Sequence, residues 1–213
     1  QHAAAHAAAA RAYVGLGANG AIPDSQARGQ ALAEVRRALE LDAGLAEAHA
    51  TLAHIYFRYD WDWAGADQEF RRGLDLNPSS IYARTFYAEF LAALGRLDEA
   101  VAHAEIAKRL DPQSGAAARR YALVLYYKHD FPAAERALHE AVEIEPSNAG
   151  GPLIEGRIAE ARGDFTQALE ATERAAQLSG GGLAPLRIAI IRLQALSGER
   201  PEAIANFRKL QDE

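Results

Sequence analysis

Small and large apolar residues alternate with polar ones at helical intervals throughout the chain, and the pattern is cleanest over residues 81–114, IYARTFYAEFLAALGRLDEAVAHAEIAKRLDPQS. With Ile81 as position 1, large apolar residues fall at positions 7, 11 and 30 (Tyr87, Leu91, Leu110) and alanines at 8, 20 and 27 (Ala88, Ala100, Ala107). Gly95 stands at position 15 and Pro112 at position 32. Apolar spacing of this kind predicts two amphipathic helices. The glycine supplies a left-handed turn between them, and the proline ends the second. Alanine at 8 and 20 lets the two antiparallel helices approach closely, and alanine at 27 does the same toward the next pair. One such hairpin cannot bury its own apolar face, so the unit implies an array.

The same register runs along nearly the whole chain and divides it into units at about 1–45, 46–80, 81–114, 115–148, 149–182 and 183–213. The first is irregular. It is expected to hold an Ala-rich helix at about 3–16, a long loop over 18–29 and a second helix at about 30–41, with Tyr13, Ala31 and Ala38 at positions 11, 20 and 27. The second carries Leu52, Ala53, Tyr56, Ala66 and Pro78 in register, with one extra residue in the turn YDWDW and Gly73 where position 27 calls for alanine. That glycine is expected to loosen the packing of the second unit on the third. The fourth keeps Tyr121, Ala122, Leu125, Ala134, Leu138, Ala141 and Pro146. The fifth has Gly156, Gly163, Ala168 and Ala175 in place, with Gly180 to Gly182 in place of the proline stop, and the sixth has Gly198 and Ala203. Pro132 and Pro201 both fall at position 18, the first turn of a second helix, where a missing N–H costs nothing.

Composition narrows the function classes. Of 213 residues, 49 are alanine, and the chain is 49% hydrophobic and 24% charged, enough to bury a continuous helical core. The net charge of −6 disfavours sequence-independent nucleic-acid binding. No cysteine is present, which excludes disulfides, thiolate nucleophiles and Cys-based zinc sites. No apolar run has the length of a membrane span. The sequence opens on Gln1 rather than methionine and reads as a fragment of something longer. A cytoplasmic setting is favoured, with the periplasm as the alternative.

The spacing, with small residues at 8, 20 and 27 and proline at 32, resembles the tetratricopeptide repeat. The resemblance implies an all-α fold, a right-handed α-solenoid of about six helix–turn–helix repeats. Within that family the stretches YDWDWAGADQEFRRGLDLNPSS and YAEFLAALGRLDEAVAHAEIAKRLDPQS are similar to repeat arrays that follow bacterial signalling modules such as winged-helix, TolB-like, cyclase or kinase domains. In such an array the first helices line a concave face at positions 2, 5, 9, 12 and 13. Those positions give His54, Phe57, Tyr82 and Glu89, then Arg119, Leu123, Tyr126 and Tyr127, then Leu153, Arg157 and Arg192 as the candidate groove. Tyrosine and arginine are frequent anchors of binding, so the expected partner is an extended or helical protein segment with apolar and acidic side chains. The lysine and asparagines that would make a clamp for a partner's C-terminal carboxylate are absent; only Arg120 matches that pattern.

Other candidate chemistry dissolves on inspection. Gly15, Gly17 and Gly20 match G-x-G-x-x-G, but they follow a helix, not a strand. His2 and His6 lie one turn apart without an evident third metal ligand. His49, at position 4, and His54 have no catalytic partner in view, and the serines concentrate in turns. No cofactor or catalytic residue is implied. Trp61 and Trp63 are expected to pack around the inserted residue. The last unit ends without a polar cap, which predicts a homodimer through an array end. The expected function is a non-enzymatic interaction scaffold, the partner-sensing part of a bacterial regulator; the alternative is a structural assembly factor for an envelope or secretion complex.

Overall fold

The computed structural model describes residues 2–180 and 184–211, which are helical throughout and contain no strand. They fall into two compact units, residues 1–111 and 112–213. The first unit contains α1 (Ala3–Ala18), α2 (Asp24–Leu41), α3 (Ala46–Ile55), a π-helical turn (Tyr56–Asp60), α4 (Trp63–Leu76), α5 (Ile81–Ala93) and α6 (Leu97–Leu110). The second contains α7 (Gly115–Tyr127), α8 (Phe131–Ile144), α9 (Gly150–Ala161), α10 (Phe165–Leu178), α11 (Ala184–Ser197) and α12 (Arg200–Gln211). Each odd-numbered helix packs against the even-numbered one that follows it, giving six hairpins.

The alanines of the sequence pattern form the seams. Ala53, Ala88 and Ala122 at position 8, and Ala66, Ala100, Ala134 and Ala168 at position 20, are all fully buried. Between them sit the larger core side chains, among them Ile55, Phe70, Phe90 and Leu91 in the first unit and Val124 and Leu193 in the second. Short side chains at the seam bring helix backbones close, and the bulky ones fill the space beside it.

The turns repeat as strictly as the seams. Trp61, Gly95, His129, Gly163 and Gly198 all have positive φ, and each stands at the same place in its hairpin. After four of them the next N–H reaches back five residues to a helix carbonyl: Arg96 to Leu91, Asp130 to Leu125, Asp164 to Ala159 and Glu199 to Gln194. This is the Schellman closure of a helix C-terminus. At Trp61 the corresponding N–H, from Asp62, reaches six residues back to Tyr56. The extra residue of the second unit therefore lies in the π turn at the end of the first helix, not in the connecting turn as the sequence suggested. The following helices are capped by the side chains of Asp62, Asp130 and Asp164, which accept N–H bonds from Gly65, Ala133 and Gln167. Ser80 and Ser114 cap α5 and α7 in the same way.

One expectation is corrected here. The first hairpin has no long loop: α2 begins at Asp24, immediately after Pro23, so what was assigned to loop forms about two more turns of helix. Its extra length is held by Gly17 and Ala27, both buried, which approach so closely that a Cβ on Gly17 would lie 2.6 Å from that of Ala27. Gly15 and Gly17 are thus helical residues, and only Gly20 takes the left-handed turn. Gly73 packs inside its own hairpin. A Cβ there would meet the Ala46 carbonyl at 3.1 Å and the Ala50 nitrogen at 3.2 Å, so the glycine serves a tight contact between α4 and α3. Gly180 follows α10 with positive φ, while the rest of that glycine run, Gly181 and Gly182, lies outside the described residues.

Candidate protein-binding face

In the first unit α3 and α5 bring three of the expected side chains, His54, Tyr82 and Glu89, to related positions, joined by Arg11 of α1. His54 is buried, with its ring stacked on Phe86 at 4.0 Å between centroids and its Nδ1 2.9 Å from the Tyr82 hydroxyl. Burial pushes the Tyr82 phenol well above its ordinary range, so it stays neutral. The Arg11 guanidinium lies over the Tyr82 ring, 5.4 Å from its centroid. Glu89 is half-buried one turn beyond Phe86. Phe57 belongs to a different group: it packs edge-on against Phe90 at 5.6 Å and beside Trp63 at 5.8 Å.

In the second unit α7, α9 and α11 carry the rest. Tyr126 and Tyr127 lie 5.4 Å apart, and Tyr127 is the more exposed. Leu123 and Leu153 are half-buried, and Arg157 projects from α9. Two arginines are already committed. Arg119 donates to Glu145 at 2.6 Å with its side chain mostly buried, and Arg192 forks onto both oxygens of Glu160, each at 2.7 Å. The Arg192 bonds, with the added charge of Arg157, hold the Glu160 carboxyl below its ordinary range. Arg157 is exposed and makes no hydrogen bond or ion pair among the described residues, its charge acting on Glu160 only through space.

Sequence reasoning missed Arg11 and Phe86 as members of these groups; Glu160 stands at position 12 of the fifth unit, on the expected concave face. Tyr13 at position 11 places Arg11 at position 9, the same place as His54, a signal that the irregular spacing of the first unit obscures. The tryptophan pair divides. Trp63 packs against Phe57 and Phe90, whereas Trp61 is 69% exposed and touches Trp63 edge-on at 5.8 Å. The expectation that both pack is corrected for Trp61, because the left-handed turn turns its side chain away from the hairpin.

Several of the side chains considered for chemistry are engaged in structure. Ser80 and Ser114 cap helices. His49 is buried with Nδ1 2.5 Å from Glu69 and Nε2 2.9 Å from the Ala43 carbonyl, tying the entry of α3 to α4. His6 faces Glu34 at 2.6 Å across the first hairpin. Among the described residues no helix is long and apolar enough to cross a membrane.

No family model matches the chain. Solved structures resemble it over most of its length. PilW, a widely conserved type IV pilus biogenesis factor, is similar with a TM-score of 0.78 and 20% identity, covering 100% of this chain and 94% of that one. PilF of Pseudomonas aeruginosa is similar with a TM-score of 0.65 and 24% identity, covering 98% and 93%. A thermophilic tetratricopeptide protein of Thermus thermophilus is similar with a TM-score of 0.75 and 19% identity, covering 89% and 99%. A small glutamine-rich tetratricopeptide repeat-containing protein of Mycosarcoma maydis is 29% identical over 87 residues, which are 41% of this chain and 25% of that protein. The fold is therefore that of tetratricopeptide-repeat α-solenoids, with about six repeats, as the sequence predicts.

Proposed function

We propose that the chain is a non-catalytic scaffold that holds a protein segment on the faces of its first helices. The observation that carries this reading is the division of labour between helices. The second helices contain no tyrosine and spend their apolar positions on the seams, while α5 and α7 present Tyr82, Tyr126 and Tyr127, none of them fully buried, and Arg11 and Arg157 are exposed on α1 and α9. Such side chains combine apolar area with directional polar contacts at modest entropic cost. Arg11 and Arg157, unpaired among the described residues, favour a segment with acidic side chains.

Of the two settings, assembly of an envelope complex is favoured over the partner-sensing part of a regulator. The support is the full-length likeness to PilW, whose stated role is pilus biogenesis. The regulator reading rests on the resemblance of the YDWDW stretch to arrays that follow signalling modules.

Crosslinking pull-down from source-cell extract tests both levels, using the parent protein beside a Tyr126→Ala/Arg157→Ala variant of verified helicity. A partner captured by the parent and lost with the variant supports the face; equal capture contradicts it. An envelope-assembly protein as that partner supports the first setting, and a transcriptional or nucleotide-signalling protein replaces it with the second.

A further inference from the structure

Between α1 and the start of α3 lies a recess of about 80 Å³, floored by Ala4, Ala7, Ala8 and Leu45. Its floor is made of methyl groups, so it favours an apolar occupant. A water molecule's share of liquid volume is about 30 Å³, which makes the recess large enough for two or three heavy atoms. Thr51 on its wall donates its hydroxyl to the Glu47 carbonyl at 2.7 Å and leaves no free donor there. Glu47 also lines the recess, its Oε1 accepting from the Asn77 side chain at 3.5 Å, and its negative charge disfavours an acidic group inside.

Arg11 stands at the rim of the same recess. Its guanidinium rests over the neutral Tyr82 ring, and among the described residues no carboxylate pairs with it, Glu47 included. Tyr82 is in turn held by the buried His54. A planar five-donor fork laid on a fixed aromatic face is oriented before any ligand arrives, and its best complement is a carboxylate.

From this juxtaposition we infer that the recess and Arg11 form one subsite for a two-residue element of a bound segment: a small aliphatic side chain, alanine to valine in size, beside an aspartate or glutamate. The aliphatic group enters between the α1 methyls and Leu45, and the carboxylate stays outside the recess on the guanidinium, away from Glu47. The inference rests on the proposed protein-binding reading of this face and adds which partner sequence its first three helices select.

Selection of phage-displayed random linear peptides on the immobilised full chain tests it, followed by fluorescence-anisotropy titration of the enriched peptides against variants of matched far-UV spectrum and melting temperature. The expected result is enrichment of an acidic residue next to alanine or valine. Arg11→Glu then weakens those peptides by about tenfold or more and shifts a new selection toward lysine or arginine. Ala8→Leu, which fills the recess without touching the charge, shifts selection from valine to glycine at the small position while the acidic residue persists. Enriched peptides without the acidic residue, or bound equally by Arg11→Glu, overturn the subsite. If those peptides are instead lost in Tyr126→Ala/Arg157→Ala, the broader reading stands without it. No enrichment at all on the parent overturns both.

Discussion

His129 and Trp61 occupy left-handed turns that glycine fills at Gly95, Gly163 and Gly198. An L-residue there costs roughly 1–2 kcal/mol, whereas glycine gives back roughly 0.5–1 kcal/mol in chain entropy. Gly95→Ala should therefore lower stability by about 1 kcal/mol in urea melts, and His129→Gly should not lower it at all. Glycines inside helices behave in the opposite sense to one another. Gly73→Ala restores the residue the repeat pattern calls for, yet its Cβ would press on the Ala46 carbonyl and the Ala50 nitrogen, neither of which can swing aside. It should destabilise by about 1 kcal/mol, while Gly29→Ala, with open space around it, should stabilise by up to about 1 kcal/mol. The pH dependence of stability has an identifiable contributor in His103. Its ring lies against Tyr87 at 4.8 Å and its Nδ1 is 3.3 Å from an Arg84 nitrogen, which can only donate. Burial, then the Arg84 charge, lower its pKa; Glu99 opposes and Arg96 adds. The unfolded chain thus binds this proton more tightly than the folded one, so the contribution is complete above the ordinary histidine value and is lost as pH falls below it. Urea midpoints should drop between about pH 7.5 and about pH 5, and His103→Gln should reduce that drop.

At the scale of elements, the second hairpin differs from the others by one residue taken up as a π turn. That leaves Trp61 69% exposed and Trp63, packed on Phe57 and Phe90, 36% exposed, a difference that acrylamide quenching of single-tryptophan variants can read. Trp61→Phe should leave the less accessible indole and Trp63→Phe the more accessible one; equal quenching of the two would contradict the turn. The seams and turns of the regular hairpins were legible because alanine, glycine and proline at fixed intervals admit few other structures. The position of the insertion was not, since YFRYDWDW offers aromatic and charged residues with no helical period to show where the extra one goes. The start of α2 was misread for a different reason. The run Ile22-Pro23-Asp24-Ser25 has the composition of a loop, although proline followed by aspartate also opens helices, and the register was anchored at Ala31 when Ala27 is the first buried contact.

Across the whole molecule, each compact unit carries its own buried seam of alanines and its own face of first-helix side chains. The face was legible by counting, because a fixed period puts positions 2, 5 and 9 of every first helix on the same side. Which charges remain for a partner was not. Arg119 with Glu145 and Arg192 with Glu160 are separated by 26 and 32 residues, and only folding reveals that these two arginines are spent while Arg157 stays exposed. The proposed function holds a partner on the first helices. Hydrogen exchange of the full chain, free and bound to the partner recovered by crosslinking, tests it most directly. Protection concentrated in α1, α3 and α5, in α7, α9 and α11, or in both sets is the predicted result. Protection concentrated in the second helices or at the Trp61 turn, with the first helices unchanged, would contradict it.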